Sequence, residues 1–250
     1  MNILVTNDDG IYSSGIFALW EVAKEFGQAF VVAPASQKSA VGHGITISRP
    51  LFISSIKRSN GFDGYAISGS PADCVKVGIK RVLHKKPDLI LSGINLGSNL
   101  GNDIIYSGTV AGALEGSMQH IPSVSFSVDS FEPKSFETSK YVIREAIKFL
   151  LKQNIPKQVS LNVNIPDCNL DQLNGLKITL QGGKYFEDDF NSYKDPKGNR
   201  YYWIKGEAVD NDDSFDSDSF AVKNNYASIT PISFNMSDNR IFKKLKKTIK

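Results

Sequence analysis

The stretch Asn2-Ile3-Leu4-Val5-Thr6-Asn7-Asp8-Asp9-Gly10 decides the fold. Its first five residues form an apolar run rich in β-formers with no polar alternation, the pattern of a strand covered on both faces in a parallel sheet. Polarity then switches abruptly, and from Ile16 to Phe26 apolar residues recur at helical spacing, with Gly27 as a stop. Strand, loop and helix in that order form the opening unit of a doubly wound α/β sheet. Such a sheet places its ligands beyond the carboxyl ends of its strands, where Asp8 and Asp9 lie.

Working outward, Phe30-Val31-Val32-Ala33-Pro34 reads as a second buried strand, and Asp88–Gly93 and Ser123–Phe126 as two more, each with a helical pattern nearby. Helix 71–83 is announced by Ser70-Pro71-Ala72-Asp73: a cap, a proline for the first turn and an acid for the helix dipole. Ser107-Gly108-Thr109 opens another helix, Val110–Met118, whose Ala111, Gly112, Ala113 and Gly116 allow close backbone approach. Beyond about residue 170, short β-rich pieces such as Tyr201–Ile204 and Tyr226–Thr230 alternate with Gly, Asn and Asp. The expectation is a mostly parallel sheet flanked by helices over 1–170, with a β-rich extension and terminal helix over 171–250, the two forming one functional unit.

Composition narrows the function. The chain has 250 residues, 41% hydrophobic and 22% charged, an ordinary globular balance, with no apolar stretch long enough to span a membrane and no signal peptide, so a cytoplasmic protein is expected. Cys74 and Cys168 stand apart without CxxC spacing, which disfavours a zinc knuckle or a disulfide framework. The net charge of +3 comes from Lys243, Lys244, Lys246, Lys247 and Lys250; the remainder is net acidic. Binding to duplex nucleic acid is therefore not expected.

Three loops carry chemistry. Two adjacent carboxylates in a cleft, at about 4 Å and an effective dielectric of ~20, repel by roughly 4 kcal/mol. A divalent cation would relieve this; alternatively, Asn7–Gly10 is a polar turn with one aspartate capping the next helix. Pro34–Gly44 follows the second strand and brings hydroxyls to the same sheet edge, together with His43, which reads either as a structural group or as an aid to phosphate binding. Ser92–Asp103 is rich in Gly and Asn and leads to Ser107, Gly108 and Thr109, whose free amides at a helix start suit a phosphate. Carboxylate, hydroxyl and amide oxygens together favour Mg²⁺ or Mn²⁺ over zinc, and the implied chemistry is metal-assisted hydrolysis of a phosphate monoester.

At these residues the chain resembles the SurE (survival protein E) family of 5′/3′-nucleotidases. The resemblance is carried by Asn7–Gly10, Ala33–Ser39, Gly69-Ser70-Pro71-Ala72-Asp73-Cys74-Val75, Ser92–Gly101, Tyr106–Ala111 and Tyr226–Pro231. It implies a Rossmann-like core and one divalent ion per subunit on Asp8, Asp9, Ser39 and Asn95. Phosphate would contact Asn95, Ser107, Gly108 and Thr109, with His43 in support, and Asp8, Asp9 and Asn95 would be catalytic. It further implies hydrolysis of nucleoside 5′- or 3′-monophosphates, extending to short polyphosphate, and homodimers or homotetramers that exchange C-terminal segments. Ala40 and Asn225 stand where the family commonly has glycine, and Ser70 where it has threonine.

Two rivals remain. A haloacid-dehalogenase-type phosphatase needs DxD after the first strand, and Gly10 occupies the second aspartate's place. A non-catalytic nucleotide-binding or interaction module would use the same cleft without turnover. Asp210–Asp218 lacks the glycine and glutamate of a calcium loop and reads as a solvated acidic loop. The tail 241–250 reads as a helix with Ile241, Leu245 and Ile249 facing the protein.

Overall fold

The computed structural model describes residues 1–58 and 61–248. Each unalternating apolar run becomes a central strand. β1 (Asn2–Thr6) leads to α1 (Ser14–Phe26), β2 (Gln28–Pro34), β3 (Ile53–Lys57), β4 (Asp63–Ile67) and α2 (Pro71–Val77). The chain then crosses back to β5 (Leu89–Leu96), α3 (Gly108–Met118), β6 (Ser123–Val128), α4 (Glu137–Lys152) and β7 (Val159–Ile165). The C-terminal part adds β8 (Leu176–Ile178), β9 (Tyr185–Lys194), β10 (Arg200–Val209), α5 (Asp218–Lys223), β11 (Ala227–Ser233) and α6 (Asn239–Lys246).

The main sheet runs β3-β4-β2-β1-β5-β6-β7-β11-β8. From β4 to β7 the strands are parallel; β3 and β11 are antiparallel to their neighbours β4 and β7. Strand order reverses at β1, which has β2 on one side and β5 on the other. That switch point opens a crevice at the carboxyl ends of β1 and β5.

The two faces of the sheet differ in chemistry. Against α1 and α4, the strands present an apolar set that includes Val124, Phe126, Leu161 and Val163, all buried. Against α3 they present Ser123, Ser125 and Ser127 from β6 and Ser160, Asn162 and Asn164 from β7, none of them exposed. Polar groups survive there because they bond one another: Ser125 donates to Asn162 Oδ1 at 2.9 Å, and Ser160 to the Ser123 carbonyl at 2.9 Å. The small residues of α3 let its backbone press on this surface, and a Cβ added at Gly112 would stand 2.8 Å from Ser92 Oγ.

The helix expected over 71–83 is α-helical only to Val77. It continues from Gly78 to Val82 as a wider turn closed by Leu83 N–H to the Gly78 carbonyl at 3.0 Å. Gly78, a weak helix former, is pressed against Leu4 where the winding changes. In the C-terminal part, β8 and β11 extend the main sheet, while β9 and β10 pair only with each other as an antiparallel ribbon. The acidic stretch 210–218 is not wholly solvated: Asp218 is fully buried, because its carboxylate receives backbone N–H groups from three residues. The apolar stripe expected to face the protein along the tail is uncovered in α6, where Ile241 and Leu245 are 39% and 55% exposed. Ile249 lies outside the described residues. Ala40 and Asn225, at the two positions where glycine is common, both take left-handed backbone with φ of 55° and 56°. Asparagine tolerates that conformation better than alanine.

Candidate active site

The site begins where β1 ends. Asn7 is fully buried and donates its amide to the Gly10 carbonyl at 3.0 Å and to Ser13 Oγ, the cap of α1, at 2.9 Å. The turn bearing Asp8 and Asp9 is thereby locked to the following helix. Lys38 N–H donates to the Asp8 carbonyl at 2.7 Å, joining the loop after β2 to the same turn.

Asp8 is 5% exposed and accepts a 2.5 Å hydrogen bond from the Thr109 hydroxyl. Burial pushes its pKa up to about 6; the neighbouring charge of Asp9 adds to the rise, and the Thr109 hydrogen bonds oppose it. Gly108 lies so close beneath that a Cβ there would come 2.8 Å from Asp8 Cβ. Asp9 is also raised by burial, tempered by Leu96 N–H at 3.2 Å and by Gln37 Nε2 at 3.4 Å. Among the described residues, neither carboxylate forms an ion pair with a lysine, arginine or histidine.

Gln37 also donates to Ser39 Oγ at 2.9 Å, so one amide aligns two of the expected ligand groups. Asn95 donates its amide nitrogen to the Gly97 carbonyl at 2.7 Å, which leaves its side-chain carbonyl oxygen as a potential ligand. Asp8, Asp9, Ser39, Asn95 and Ser107 line one cleft of about 380 Å³. Its donors are two carboxylates, a hydroxyl and an amide oxygen. Among the described residues no group of three His, Cys, Asp or Glu gathers, so the donor set is hard oxygen and unsuited to zinc.

Ser107 caps α3, accepting from Val110 N–H at 3.1 Å, and lines the cleft, whereas Gly108, expected to touch phosphate, is buried against Asp8 and is not among the lining residues. Thr109, expected to touch phosphate, commits its hydroxyl to Asp8 and stands behind the cleft wall. His43 lines an adjoining cavity that shares Ser107 with the cleft, and its Nε2 sits 3.1 Å from Glu115 Oε2. Glu115, buried on α3, also receives Lys76 Nζ at 2.7 Å. Burial alone would raise its carboxyl; the hydrogen bonds from His43, Lys76 and Gln119 and the charge of Lys76 hold it below its ordinary value.

The family model described as "Survival protein SurE" matches residues 3–188, which include every residue of the cleft named above. The chain belongs to the SurE family. The protein named 5′-nucleotidase SurE from Thermosipho melanesiensis is 45% identical over 245 residues, covering 98% of this chain and 96% of its own length. Its namesake from Kosmotoga olearia is 43% identical over 249 residues, covering 100% and 98%. The crystal structure of the SurE protein from Aquifex aeolicus superposes with a TM-score of 0.84 at 40% identity, covering both chains completely. The mostly parallel sheet flanked by helices is thus the SurE fold.

Sequence reasoning missed Gln37 and Glu115. Gln37 lay within the loop singled out after β2, but an amide carries no signature of its own. Glu115 faces Lys76 and His43 from two other segments, a pairing that only tertiary structure creates.

Proposed function

We propose that this SurE-family chain is a metal-dependent phosphomonoesterase that hydrolyses nucleoside 5′- or 3′-monophosphates to nucleoside and phosphate. The observation that carries the reading is the pair of buried Asp8 and half-buried Asp9 at the switch point of the sheet, both raised in pKa and without an ion-pair partner among the described residues. The names of its relatives supply the substrate class.

Asp8, Asp9, Ser39 and Asn95 would hold one Mg²⁺ or Mn²⁺ ion per subunit. When bound, such an ion supplies Lewis acidity towards a phosphoryl oxygen and makes water a competent nucleophile near neutral pH. The chain's own residues do the rest. Thr109 fixes Asp8 in one orientation, Gln37 aligns Asp9 with Ser39, and the amides of Ser107 and Gly108 at the start of α3 bind phosphate oxygens and stabilise the charge that develops on them. His43, held by Glu115 beside Ser107, is assigned a supporting part in holding phosphate or protonating the leaving oxygen.

The assembly in this reading is a homodimer or homotetramer. The β9–β10 ribbon exposes Phe190, Tyr202, Trp203 and Ile204, each more than half exposed, and an isolated two-stranded ribbon is marginal in water without a covering surface. Light scattering should give a multiple of 27.5 kDa. No helix among the described residues is long and apolar enough to cross a membrane. A cytoplasmic location, where the free Cys74 and Cys168 stay reduced, completes the proposal.

The decisive experiment is phosphate release from a panel of nucleoside 5′- and 3′-monophosphates and short polyphosphate with Mg²⁺, Mn²⁺ or chelator. Turnover that needs the metal and disappears in a folded Asp8→Asn variant is expected. A fully active, metal-indifferent Asp8→Asn enzyme would overturn the metal assignment.

A further inference from the structure

Two aromatic side chains stand among the residues that line the cleft. Tyr106 and Phe131 are 64% and 81% exposed. Tyr106 directly precedes Ser107, and its carbonyl accepts from Gly42 N–H at 2.9 Å, so it belongs to the phosphate end and to the loop after β2. Phe131 lies in the loop after β6.

Phe131 is exposed yet supported from below. Its ring lies against Gly97, where a Cβ would stand 2.8 Å from Cε1, and Gly97 holds φ +105°, a conformation suited to glycine. The Gly97 N–H bonds to the carbonyls of Val128 and Ser130, each at 3.0 Å, fastening the glycine to the strand end from which the Phe131 loop leaves. The ring is thus backed by glycine and presents an exposed apolar face to the cleft. β1, β5 and β6 are consecutive in the sheet, so the carboxyl ends of β1 and β6, from which the Asp8–Asp9 turn and the Phe131 loop leave, are two strand spacings apart, about 10 Å. That distance matches the reach of a sugar between a phosphate and a base. On the other side of β1 the cleft is lined by Gln37, Ser39 and Ala40, which offer no ring.

We infer that Phe131 is the platform on which the base of a nucleoside monophosphate stacks while its phosphate lies at Ser107 and the Asp8–Asp9 pair; the phosphate end of this placement rests on the nucleotidase reading above. Stacking needs only a π-face, so the platform accepts every base and favours the larger purines. It reads no hydrogen-bonding edge.

The test compares adenosine 5′-monophosphate with ribose 5-phosphate, which lacks the base. Binding is followed by calorimetry in Mn²⁺, and phosphate release is measured in parallel, for the parent chain, Phe131→Ala and Phe131→Trp. The side chain is surface-exposed, so both variants should fold. Phe131→Ala should weaken adenosine monophosphate binding on the order of tenfold, leave ribose 5-phosphate within about twofold, and be rescued by Phe131→Trp. Equal losses for both ligands, or no loss for the nucleotide, would overturn the platform. A parent chain that binds the nucleotide through Phe131 but releases no phosphate would sink the nucleotidase reading and leave the platform standing.

Discussion

Thr109 reaches from the first turn of α3 to donate its hydroxyl to Asp8 Oδ1 at 2.5 Å, with both side chains buried. A carboxylate oxygen engaged this way is fixed in direction, and its charged form is favoured against the cost of burial. Thr109→Val keeps the shape and deletes the donor. Mn²⁺ affinity measured by calorimetry should fall about 10- to 100-fold, the usual consequence of losing a group that orients a ligand, while the circular dichroism spectrum is unchanged. An unaltered Mn²⁺ affinity would show that Asp8 needs no such support.

Gly112 tests the contact between α3 and the polar sheet face. Alanine is the better helix former by about 1 kcal/mol, so propensity alone predicts that Gly112→Ala stabilises. The structure predicts the reverse: the added methyl would meet Ser92 Oγ at 2.8 Å and Thr6 Cγ2 at 3.1 Å, both on central strands. Overpacking of this kind costs about 1–3 kcal/mol, so the melting temperature should drop by several degrees. A rise in melting temperature would mean that α3 shifts freely over the sheet.

The parallel core was legible in the sequence because strands covered on both faces announce themselves as unbroken apolar runs, as at Ile3–Val5 and Leu89–Leu91. The caps at Ser70 and Ser107 were legible because helix starts have local chemistry. Asp8 and Asp9 were legible as adjacent carboxylates at the end of the first strand, where the structure places them in the cleft. Other features escaped because their signals are not local. Ser123–Phe126 reads as a strand from sequence but β7 does not, and the bonding of the β6 serines with Ser160 and Asn162 arises only when the two strands pair beneath α3; Asn99 stands out only as part of a Gly- and Asn-rich loop. In the structure Asn99 plugs the loop into β7, donating its backbone N–H to Asn164 Oδ1 at 2.7 Å and accepting at its carbonyl from Asn162 and Asn164. Asp218 read as one more acid in an acidic loop for the same reason.

Glu115 makes a pH-dependent contribution. Its folded pKa lies below the ordinary value of 4.5, so its stabilisation is fully present above that pH and is lost as the pH falls through the lowered folded value. Glu115→Gln keeps the volume and removes the charge that Lys76 and His43 address. The variant should melt at a lower temperature than the parent at pH 7, and the gap should close as the pH drops below about 4.5. Thermal melts from pH 7 to pH 3 measure this directly. A gap that stays constant across the range would mean that the network contributes through packing and not through charge.

Asp218 fastens the cleft wall to the C-terminal part of the chain. Its Oδ2 accepts from Gly101 N–H at 3.0 Å, and its Oδ1 from Gly182 N–H at 3.0 Å and Ser219 N–H at 2.8 Å. Gly101 opens the short 3₁₀ turn Gly101–Ile105, whose Asp103 lines the cleft. The same wall is gripped twice more, by Gln181 donating to the Gly101 carbonyl at 2.9 Å and by Asn102 N–H donating to the Lys184 carbonyl at 2.8 Å. Asp218→Asn turns one acceptor into a donor that faces a backbone N–H, leaving a buried pair mismatched at a cost of about 1–3 kcal/mol. Amide exchange should accelerate at residues 101–105 more than in β1 or β5, and KM should rise with little change in kcat, because the wall loosens while Asp8 and Asp9 keep their places. Exchange that quickens uniformly over the sheet would assign Asp218 to global stability and remove it from the cleft.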